Sequence, residues 1–289
     1  MAVIGIGRMG GAMAATISRA GFDTVLWNRD AAKAEHLGSA LGVPVASSPS
    51  EAAGKADVVL TSLANDAALE SVYLEPGGVV EGVGPDSVVI DTSTVDPRTI
   101  ELVGRAVDEA GAGFLDCPVS GSVSTVEAGT LTVMAGGDAE MLERVRPVLE
   151  ALASRVIHVG GRGAGAATKL AVNNLLLGLN GALAEALVLA ERAGVDRETA
   201  YEVFASGAGG APFVQYKRAA YEHPEDTPVA FSLDLVAKDL ELITALGERV
   251  GAPMQQARTT LEIVRGAIAN GFGGRDLSAV AVFLRGNEA

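Results

Sequence analysis

The sequence predicts an α/β domain built on a parallel sheet, followed by an all-α C-terminal domain. Three observations support this fold class. Short β-branched runs alternate with helical stretches in the first half, a glycine-rich loop joins the first strand to the first helix, and strand signals almost disappear after about residue 164. We place the boundary between residues 162 and 163, which gives domains of residues 1–162 and 163–289.

The individual elements follow from local composition. Runs of Val, Ile and other strand-forming residues predict strands over residues 2–6, 24–27, 58–62, 88–91, 114–115, 131–135 and 156–159. Helical stretches lie between most of them, for example over residues 10–20 and 98–110. The Ala- and Leu-rich stretch over residues 168–192 predicts one long helix, which we expect to connect the two domains and to contribute to a subunit interface.

Composition excludes several classes of function. The 289 residues carry 22 basic and 36 acidic side chains, a net charge of −14, so a nucleic-acid or membrane partner is not expected. Cys117 is the only cysteine and the three histidines are scattered, so neither a disulfide nor a metal site is predicted. The apolar start is too short for a secretory signal, and the uncharged stretch over residues 170–184 is shorter than the roughly 18 to 20 residues of a membrane span. We expect a cytoplasmic protein.

The glycine-rich loop has the spacing of a dinucleotide site. Gly5, Gly7, Arg8, Met9 and Gly10 lie in the segment GIGRMG, which follows the first predicted strand and opens a helix. In this GxGxxG arrangement the glycines permit a tight turn, close approach of a pyrophosphate and close helix–strand packing. A plain glycine turn could share the spacing, but the strand–loop–helix context favours a Rossmann-type dinucleotide-binding domain.

The end of the second strand favours NADP(H), with NAD(H) also possible. An NAD site would place an acidic residue about 20 residues after the loop to bind the ribose hydroxyls. Here Asn28 and Arg29 present hydrogen-bond donors instead, and a guanidinium pairs well with a 2′-phosphate. Asp30 opposes this interpretation, because its charge could repel the phosphate or pair with Arg29.

Two later segments could bind and convert a small acid. Ser120 and Gly121 follow a strand and could form an anion cradle for a carboxylate, although a Ser-Gly pair is often only a turn. Lys169 is the only charged residue between Arg162 and Glu185, and Asn173 lies one helical turn later. Desolvation on an apolar helix favours neutral lysine and suits it to proton transfer, whereas a lysine that reaches solvent from the helix start would have no such role.

These residues resemble the β-hydroxyacid dehydrogenases, a family that includes 3-hydroxyisobutyrate dehydrogenase and glyoxylate/succinic semialdehyde reductase. The resemblance covers essentially the whole chain and rests on four motifs in order. They are residues 5–10, residues 116–121 continuing to 129–131, residues 163–174, and the Lys-Asp-Leu triplet at 238–240.

The resemblance implies a Rossmann domain and a helical domain that complete a substrate cleft. We also expect a homodimer or homotetramer. The resemblance implies hydride transfer between NADP(H) and a small β-hydroxyacid or its semialdehyde or keto acid, with Lys169 as the catalytic acid/base. The substrate residues it implies are Ser120, Gly121, Ser122, Asn173 and Asp239. The cofactor residues it implies, beyond the glycine loop and Asn28–Arg29, are Leu63, Thr94, Phe231 and Lys238.

The sequence departs from the family pattern at three positions. Ser122 replaces the second glycine of the usual Ser-Gly-Gly, Ala64 replaces a common proline, and Asp30 replaces the usual Ser or Thr. Two functions are alternatives to a β-hydroxyacid dehydrogenase: an imine reductase-like NADPH enzyme and a non-catalytic NADP-binding scaffold. The presence of Lys169 argues against both, and a 6-phosphogluconate dehydrogenase-like enzyme would need a longer helical domain.

Overall fold

The computed structural model describes residues 1–286 and divides the chain into two compact units, Met1–Lys169 and a second that starts at Leu170. The first unit combines a sheet with helices and the second is helical, which confirms the predicted fold class. The predicted boundary after residue 162 lies just before the long helix begins at Ala164. Residues 287–289 of the predicted C-terminal domain lie outside the described residues.

The sheet of the first unit is mainly parallel. Its eight strands are β1 (Ala2–Ile4), β2 (Val25–Trp27), β3 (Val58–Thr61), β4 (Val88–Asp91), β5 (Gly113–Asp116), β6 (Val119–Ser120), β7 (Leu131–Gly136) and β8 (Ala153–Gly160). They run in the order β2-β1-β3-β4-β5-β7-β6, and β8 pairs with β7. Strands β1 to β5 are parallel, as predicted.

Two features of the sheet differ from the prediction. Strand β7 runs antiparallel to β5, so the sheet is not parallel throughout. The two-residue strand β6 was not predicted, because Val119 and Ser120 are too few to show a periodic pattern; they pair with Val133 and Thr132 of β7.

Eight helices surround this sheet. They are α1 (Arg8–Arg19), α2 (Ala31–Leu41), α3 (Pro49–Ala53), α4 (Asp66–Leu74), α5 (Val79–Gly82), α6 (Pro97–Glu109), α7 (Val123–Glu127) and α8 (Ala139–Glu150). Four of them begin at a side chain that accepts a hydrogen bond from a first-turn N–H, which satisfies a donor that the helix itself leaves unpaired. These capping residues are Ser48, Asn65, Asp96 and Asp138.

Alternation along the strands builds a core on both faces of the sheet. Val3 and Leu60 pack into one cluster with Met13 of α1, whereas Ile4 and Val59 pack into a second cluster on the other face. Burial on both faces explains why these strands read as continuous apolar runs in the sequence.

The strand order creates a crevice beside β1. The chain leaves β1 toward β2 on one side, whereas β3 and the later strands add on the other side. The loops that follow β1 and β3 therefore separate at the carboxyl edge of the sheet, which is where open α/β folds bind ligands.

The second unit is a helical cluster. Helix α9 (Ala164–Arg192) begins in the first unit and continues into the second, which also contains α10 (Arg197–Ser206), α11 (Pro212–Glu222), α12 (Leu233–Val250), α13 (Gln255–Ala267) and α14 (Ala279–Arg285). A wide turn, Ile268–Phe272, follows α13. The core of this unit is lined by Tyr201, Tyr221 and Leu240 among others. Residues 164–286 contain no strand, as predicted.

Helix α9 is the one helix within residues 1–286 that is long and apolar enough to cross a membrane by length and composition. Core helices of soluble proteins meet the same criterion. The helix starts four residues earlier than predicted, because a carboxylate distant in sequence satisfies its first N–H groups.

Candidate active site

The glycine loop between β1 and α1 has the geometry that the motif predicts. Gly5 adopts φ +95°, and a Cβ there would collide with the backbone oxygen of Ser62 after β3. A Cβ at Gly10 would collide with the oxygen of Gly5. Both glycines are therefore required for the turn and for close packing of α1 against the strand ends.

Unlike Gly5 and Gly10, Gly7 has open space next to its Cα. A Cβ at Gly7 would meet no atom within 4 Å, and Gly7 directly precedes the first turn of α1. That turn, which contains Arg8 and Met9, has no acidic residue and no side-chain cap on its N–H groups. The positive end of the helix is thus suited to a pyrophosphate.

The polar residues after β2 have two different environments: one forms hydrogen bonds to neighbouring backbone, and the others are exposed at the surface. Asn28 Oδ1 accepts a hydrogen bond of 2.9 Å from Ile6 N–H, and its Nδ2 donates to the backbone oxygen of Asp30. Asp30 forms an exposed ion pair of 3.6 Å with Lys33. Arg29 is exposed and makes no ion pair within residues 1–286. Asn28 therefore fixes the glycine loop against β2, and the guanidinium of Arg29 is available to an anion.

A buried carboxylate organises the loops that follow β3 and β4. Asp91 is fully buried and accepts hydrogen bonds from Thr61 Oγ1 at 2.6 Å and from Ser93 Oγ at 2.8 Å. Ser93 Oγ in turn accepts from Leu63 N–H. Burial raises the pKa of Asp91 to about 6, although the hydrogen bonds from Thr61 and Ser93 oppose the rise.

This network includes one of the predicted cofactor residues and adjoins a second. Leu63 is tied to it through its own N–H, and Thr94 directly follows Ser93. Sequence reasoning did not identify Asp91 as an organising residue. The available signal was an acid at the end of an otherwise apolar strand, followed by Thr-Ser-Thr.

The predicted carboxylate cradle is a tight turn after β6. Gly121 adopts φ +147°, and a Cβ there would contact Thr125 and Leu131 too closely. Ser122 N–H donates to Thr125 Oγ1 at 2.7 Å, so that amide is used inside the loop. The Oγ atoms of Ser122 and Ser124 are 2.8 Å apart. Ser122 thus adds a hydroxyl group, paired with that of Ser124, at a position where a glycine would present only its backbone.

Lys169 lies on α9, and the start of α9 is fixed by Asp116 at the end of β5. Asp116 is fully buried, its Oδ1 accepts from Gly163 N–H at 2.9 Å, and its Oδ2 accepts from Ala166 N–H at 2.8 Å. Burial raises the pKa of the Asp116 carboxyl, and these backbone hydrogen bonds oppose the rise. Lys169 itself is half-buried, one turn beyond Ala166.

Within the second unit the structure brings Asn173, Lys238 and Asp239 together. Asn173 is buried, and its Nδ2 donates to Asp239 Oδ2 at 2.6 Å. Asp239 Oδ1 lies 2.9 Å from Lys238 Nζ but lacks hydrogen-bond geometry to any group of residues 1–286. A carboxylate can only accept hydrogen bonds, so the Asp239 carboxylate determines the orientation of the Asn173 amide, with its nitrogen directed toward Asp239. A direct substrate contact of Asp239 stays a prediction.

Phe231 is held by a buried ion pair that the sequence did not reveal. Lys217 Nζ donates to both oxygens of Asp276, at 2.8 and 2.9 Å. Asp276 also accepts from the N–H groups of Ala230 and Phe231. Burial alone would raise the pKa of Asp276, but Lys217 lowers it. The pair therefore fixes the backbone that carries Phe231.

The predicted site residues thus fall into two groups. The first unit contains the glycine loop, Asn28, Arg29, Leu63 and Thr94, which follow the carboxyl ends of strands. It also contains the Ser120–Ser122 turn, which starts at the last residue of β6, and Lys169, which lies in the second turn of α9. Asn173, Phe231, Lys238 and Asp239 belong to the second unit. Their roles toward cofactor and substrate stay predictions.

Two protein families match this chain, one over each half. Residues 1–160 match the family described as the NAD-binding domain of 6-phosphogluconate dehydrogenase. Residues 163–284 match the family described as NAD-binding of NADP-dependent 3-hydroxyisobutyrate dehydrogenase. Together the two matches cover nearly the whole chain in the order that the sequence predicts.

Individual relatives extend over the full length. The chain is 35% identical to 2-(hydroxymethyl)glutarate dehydrogenase of Eubacterium barkeri, over 96% of this chain and 92% of that one. It is 33% identical to glyoxylate/succinic semialdehyde reductase 1 of Arabidopsis thaliana, over 96% and 95% of the two chains. The solved structure of Mycobacterium tuberculosis 3-hydroxyisobutyrate dehydrogenase with L-serine is 32% identical, covers 98% of both chains and superposes with a TM-score of 0.87.

These findings confirm the predicted family and the enzyme class. The glycine loop in its crevice explains the match to nucleotide-binding families in physical terms, since it offers the turn, the space and the helix end that a pyrophosphate needs. The chain belongs to the β-hydroxyacid dehydrogenases and is an NAD(P)-dependent dehydrogenase that acts on CH–OH groups.

Proposed function

We propose that the enzyme reversibly converts a small β-hydroxyacid to its semialdehyde or keto acid, of the 3-hydroxyisobutyrate, glyoxylate or succinic semialdehyde type, with Lys169 as acid/base. One observation carries this proposal. Helix α9, which bears Lys169, begins on Asp116, and Asp116 lies four residues before Ser120 of the carboxylate cradle. The acid/base and the substrate loop are therefore built on the same strand end.

The proposed chemistry assigns each residue an action. When bound, NADP(H) supplies or accepts a hydride at the nicotinamide C4. Lys169, as an ammonium, donates a proton to the carbonyl oxygen during reduction and recovers it from the hydroxyl during oxidation. Its charge also stabilises the developing alkoxide. Ser120 and the Gly121 backbone hold the carboxylate, and Asn173 orients the reacting group.

Several features support a preference for NADP(H). The two residues directly after β2, Asn28 and Arg29, are not acidic, and Arg29 is exposed without an ion pair in the described part of the chain. Asp30 is partnered by Lys33, which reduces its repulsion of a 2′-phosphate. The proposal also allows NAD(H) as a second, less preferred cofactor.

The substrate class follows from the cradle and from the relatives. The names of the relatives above specify hydroxyacids or semialdehydes that carry a carboxylate. The Ser122–Ser124 hydroxyl pair supports an acid with an additional polar group near its carboxylate.

The test is turnover of a panel by wild type and by Lys169→Ala. NADPH and NADH oxidation are followed with glyoxylate, succinic semialdehyde, methylmalonate semialdehyde and tartronate semialdehyde, and with a cyclic imine to detect imine reduction.

Lys169→Ala should lower kcat by roughly 10²–10⁴ while NADPH still binds, because one acid/base group contributes about that much. Lys55→Ala, an exposed lysine paired with Glu51, is the matched control. Near-normal turnover of Lys169→Ala would exclude the role, and the absence of turnover on every substrate despite tight NADPH binding would contradict the proposed substrate class.

We further propose that the enzyme is a cytoplasmic homodimer or homotetramer with no nucleic-acid or membrane partner. The net charge of −14 supports the absence of polyanionic partners. Leu175 and Leu189, 75% and 73% exposed, lie on one face of α9 and support a subunit contact there.

A further inference from the structure

Asp116 is a buried carboxylate that connects two segments of the proposed site. It closes β5, so that Ser120 and Gly121 follow it after a short connection. Its two oxygens accept hydrogen bonds from the N–H of Gly163, which directly precedes α9, and from the N–H of Ala166 in the first turn of that helix. A negative charge at this helix end is favourable, because the first N–H groups carry partial positive charge.

The packing around Asp116 is close enough to fix the position of the helix. A Cβ at Gly165 would collide with the backbone oxygen of Asp116 and would lie 2.6 Å from that of Met134. A Cβ at Gly136 of β7 would lie 2.7 Å from Gly165 N. The first turn of α9 therefore lies directly on the ends of β5 and β7, with glycine required on both sides.

A second anchor on the same connection is different in kind. Arg162 forms an ion pair of 2.7 Å with Asp108 of α6, and both side chains are partly exposed. This pair connects the segment before α9 to helix α6, whereas Asp116 accepts a hydrogen bond from α9 itself. Asp108 therefore offers a matched control for a carboxylate near the same helix start.

We propose that Asp116 is a positioning residue that acts through Lys169. By holding the first turn of α9 on β5, it sets the location of Lys169, one turn further on, relative to the Ser120–Gly121 cradle. This inference rests on the proposed acid/base role of Lys169. It adds a residue that would touch neither substrate nor cofactor and yet would determine the rate of proton transfer.

The expected effect is a loss of kcat without a loss of cofactor affinity. In Asp116→Asn one oxygen still accepts an N–H, but the side-chain NH₂ faces the second backbone donor and repels it. Small displacements of a catalytic group cost on the order of 10²-fold in rate, so we expect kcat to fall by about 10- to 100-fold. The Kd of NADPH, measured by nicotinamide fluorescence, should not change, because the glycine loop is held by other contacts.

Gly165→Ala tests the same geometry by a second route. Its Cβ would push α9 away from β5 while the carboxyl group of Asp116 is left intact. The matched control is Gly161→Ala, since a Cβ at Gly161 meets no atom within 4 Å. Asp108→Asn is the control for Asp116→Asn. Thermal unfolding of each variant separates a loss of folded protein from a loss of kcat.

A double-mutant comparison decides between positioning and a general structural role. If Asp116 acts through Lys169, Asp116→Asn should cause no additional loss of kcat in a Lys169→Ala background. An equal fold-loss in both backgrounds, or kinetics of Asp116→Asn that match Asp108→Asn, would overturn the inference. Near-normal turnover of Lys169→Ala alone would instead overturn the proposed function, so the two failures are distinguishable.

Discussion

Arg29 and Asp30 show how single side chains at the tip of β2 shape cofactor choice. The sequence left open whether Asp30 neutralises Arg29 or repels a phosphate. In the structure Asp30 pairs with Lys33, and Asn28 uses its amide to brace Ile6 and the backbone of Asp30. Arg29 is thus the principal candidate for a 2′-phosphate contact.

Replacing Arg29 should therefore change cofactor preference. For Arg29→Ala we expect kcat/KM with NADPH to fall by about 10- to 100-fold, since a charge-assisted pair contributes roughly 1.5–3 kcal/mol. The value with NADH should change little. Steady-state kinetics with both cofactors measure this, with the exposed Arg105→Ala as control. A wild-type preference for NADH of tenfold or more would contradict the assignment.

At the scale of secondary-structure elements, buried acids join neighbouring strand ends. Asp91 and Asp116 are register partners at the ends of β4 and β5. Asp91 holds the loops after β3 and β4 together, and Asp116 holds the start of α9. Each acid satisfies backbone or hydroxyl donors that the elements would otherwise bury unpaired.

The raised pKa of Asp91 makes the stability of this element pair depend on pH. Because folding raises the pKa from 3.8 to about 6, the folded state favours the protonated acid. The corresponding stabilisation, about 3 kcal/mol, is complete below the unfolded pKa and is lost as the pH rises through 6. Asp91→Asn cannot ionise and should lack this decline.

Urea unfolding of wild type and Asp91→Asn at several pH values checks this prediction. The difference in free energy of unfolding should shift in favour of the variant by up to about 3 kcal/mol between pH 4 and 7. Comparing the two proteins removes the contributions of the other carboxyls. A difference that is independent of pH would contradict the raised pKa.

At the scale of the whole molecule, α9 is the element that both compact units share. Its 29 residues contain Lys169 in the first unit and Asn173 in the second. The same helix exposes Leu175 and Leu189, which lie fourteen residues apart and thus close to one face. One helix would therefore serve both the proposed site and the proposed subunit contact.

Light scattering after size-exclusion chromatography tests that contact. Wild type should elute as a dimer or tetramer, and Leu175→Glu should shift the mass toward the monomer because it places a charge in an apolar interface. Val203→Glu replaces a comparably exposed residue on α10 and should leave the mass unchanged. A monomeric wild type would exclude the interface.

Local sequence patterns were sufficient to predict the two-part fold, the glycine loop with Gly5, Gly7 and Gly10, and the long helix with Lys169. These features are encoded locally, in the period of apolar residues and in positions that only glycine can occupy. Features that depend on contacts between residues far apart in the chain became visible only in the folded structure. Strand β6 forms because β7 pairs with it, α9 starts at Ala164 because Asp116 satisfies its first N–H groups, and Lys217 is buried because Asp276 neutralises it. A buried polar group must find its partner through the fold, and no local pattern in the sequence specifies which partner that is.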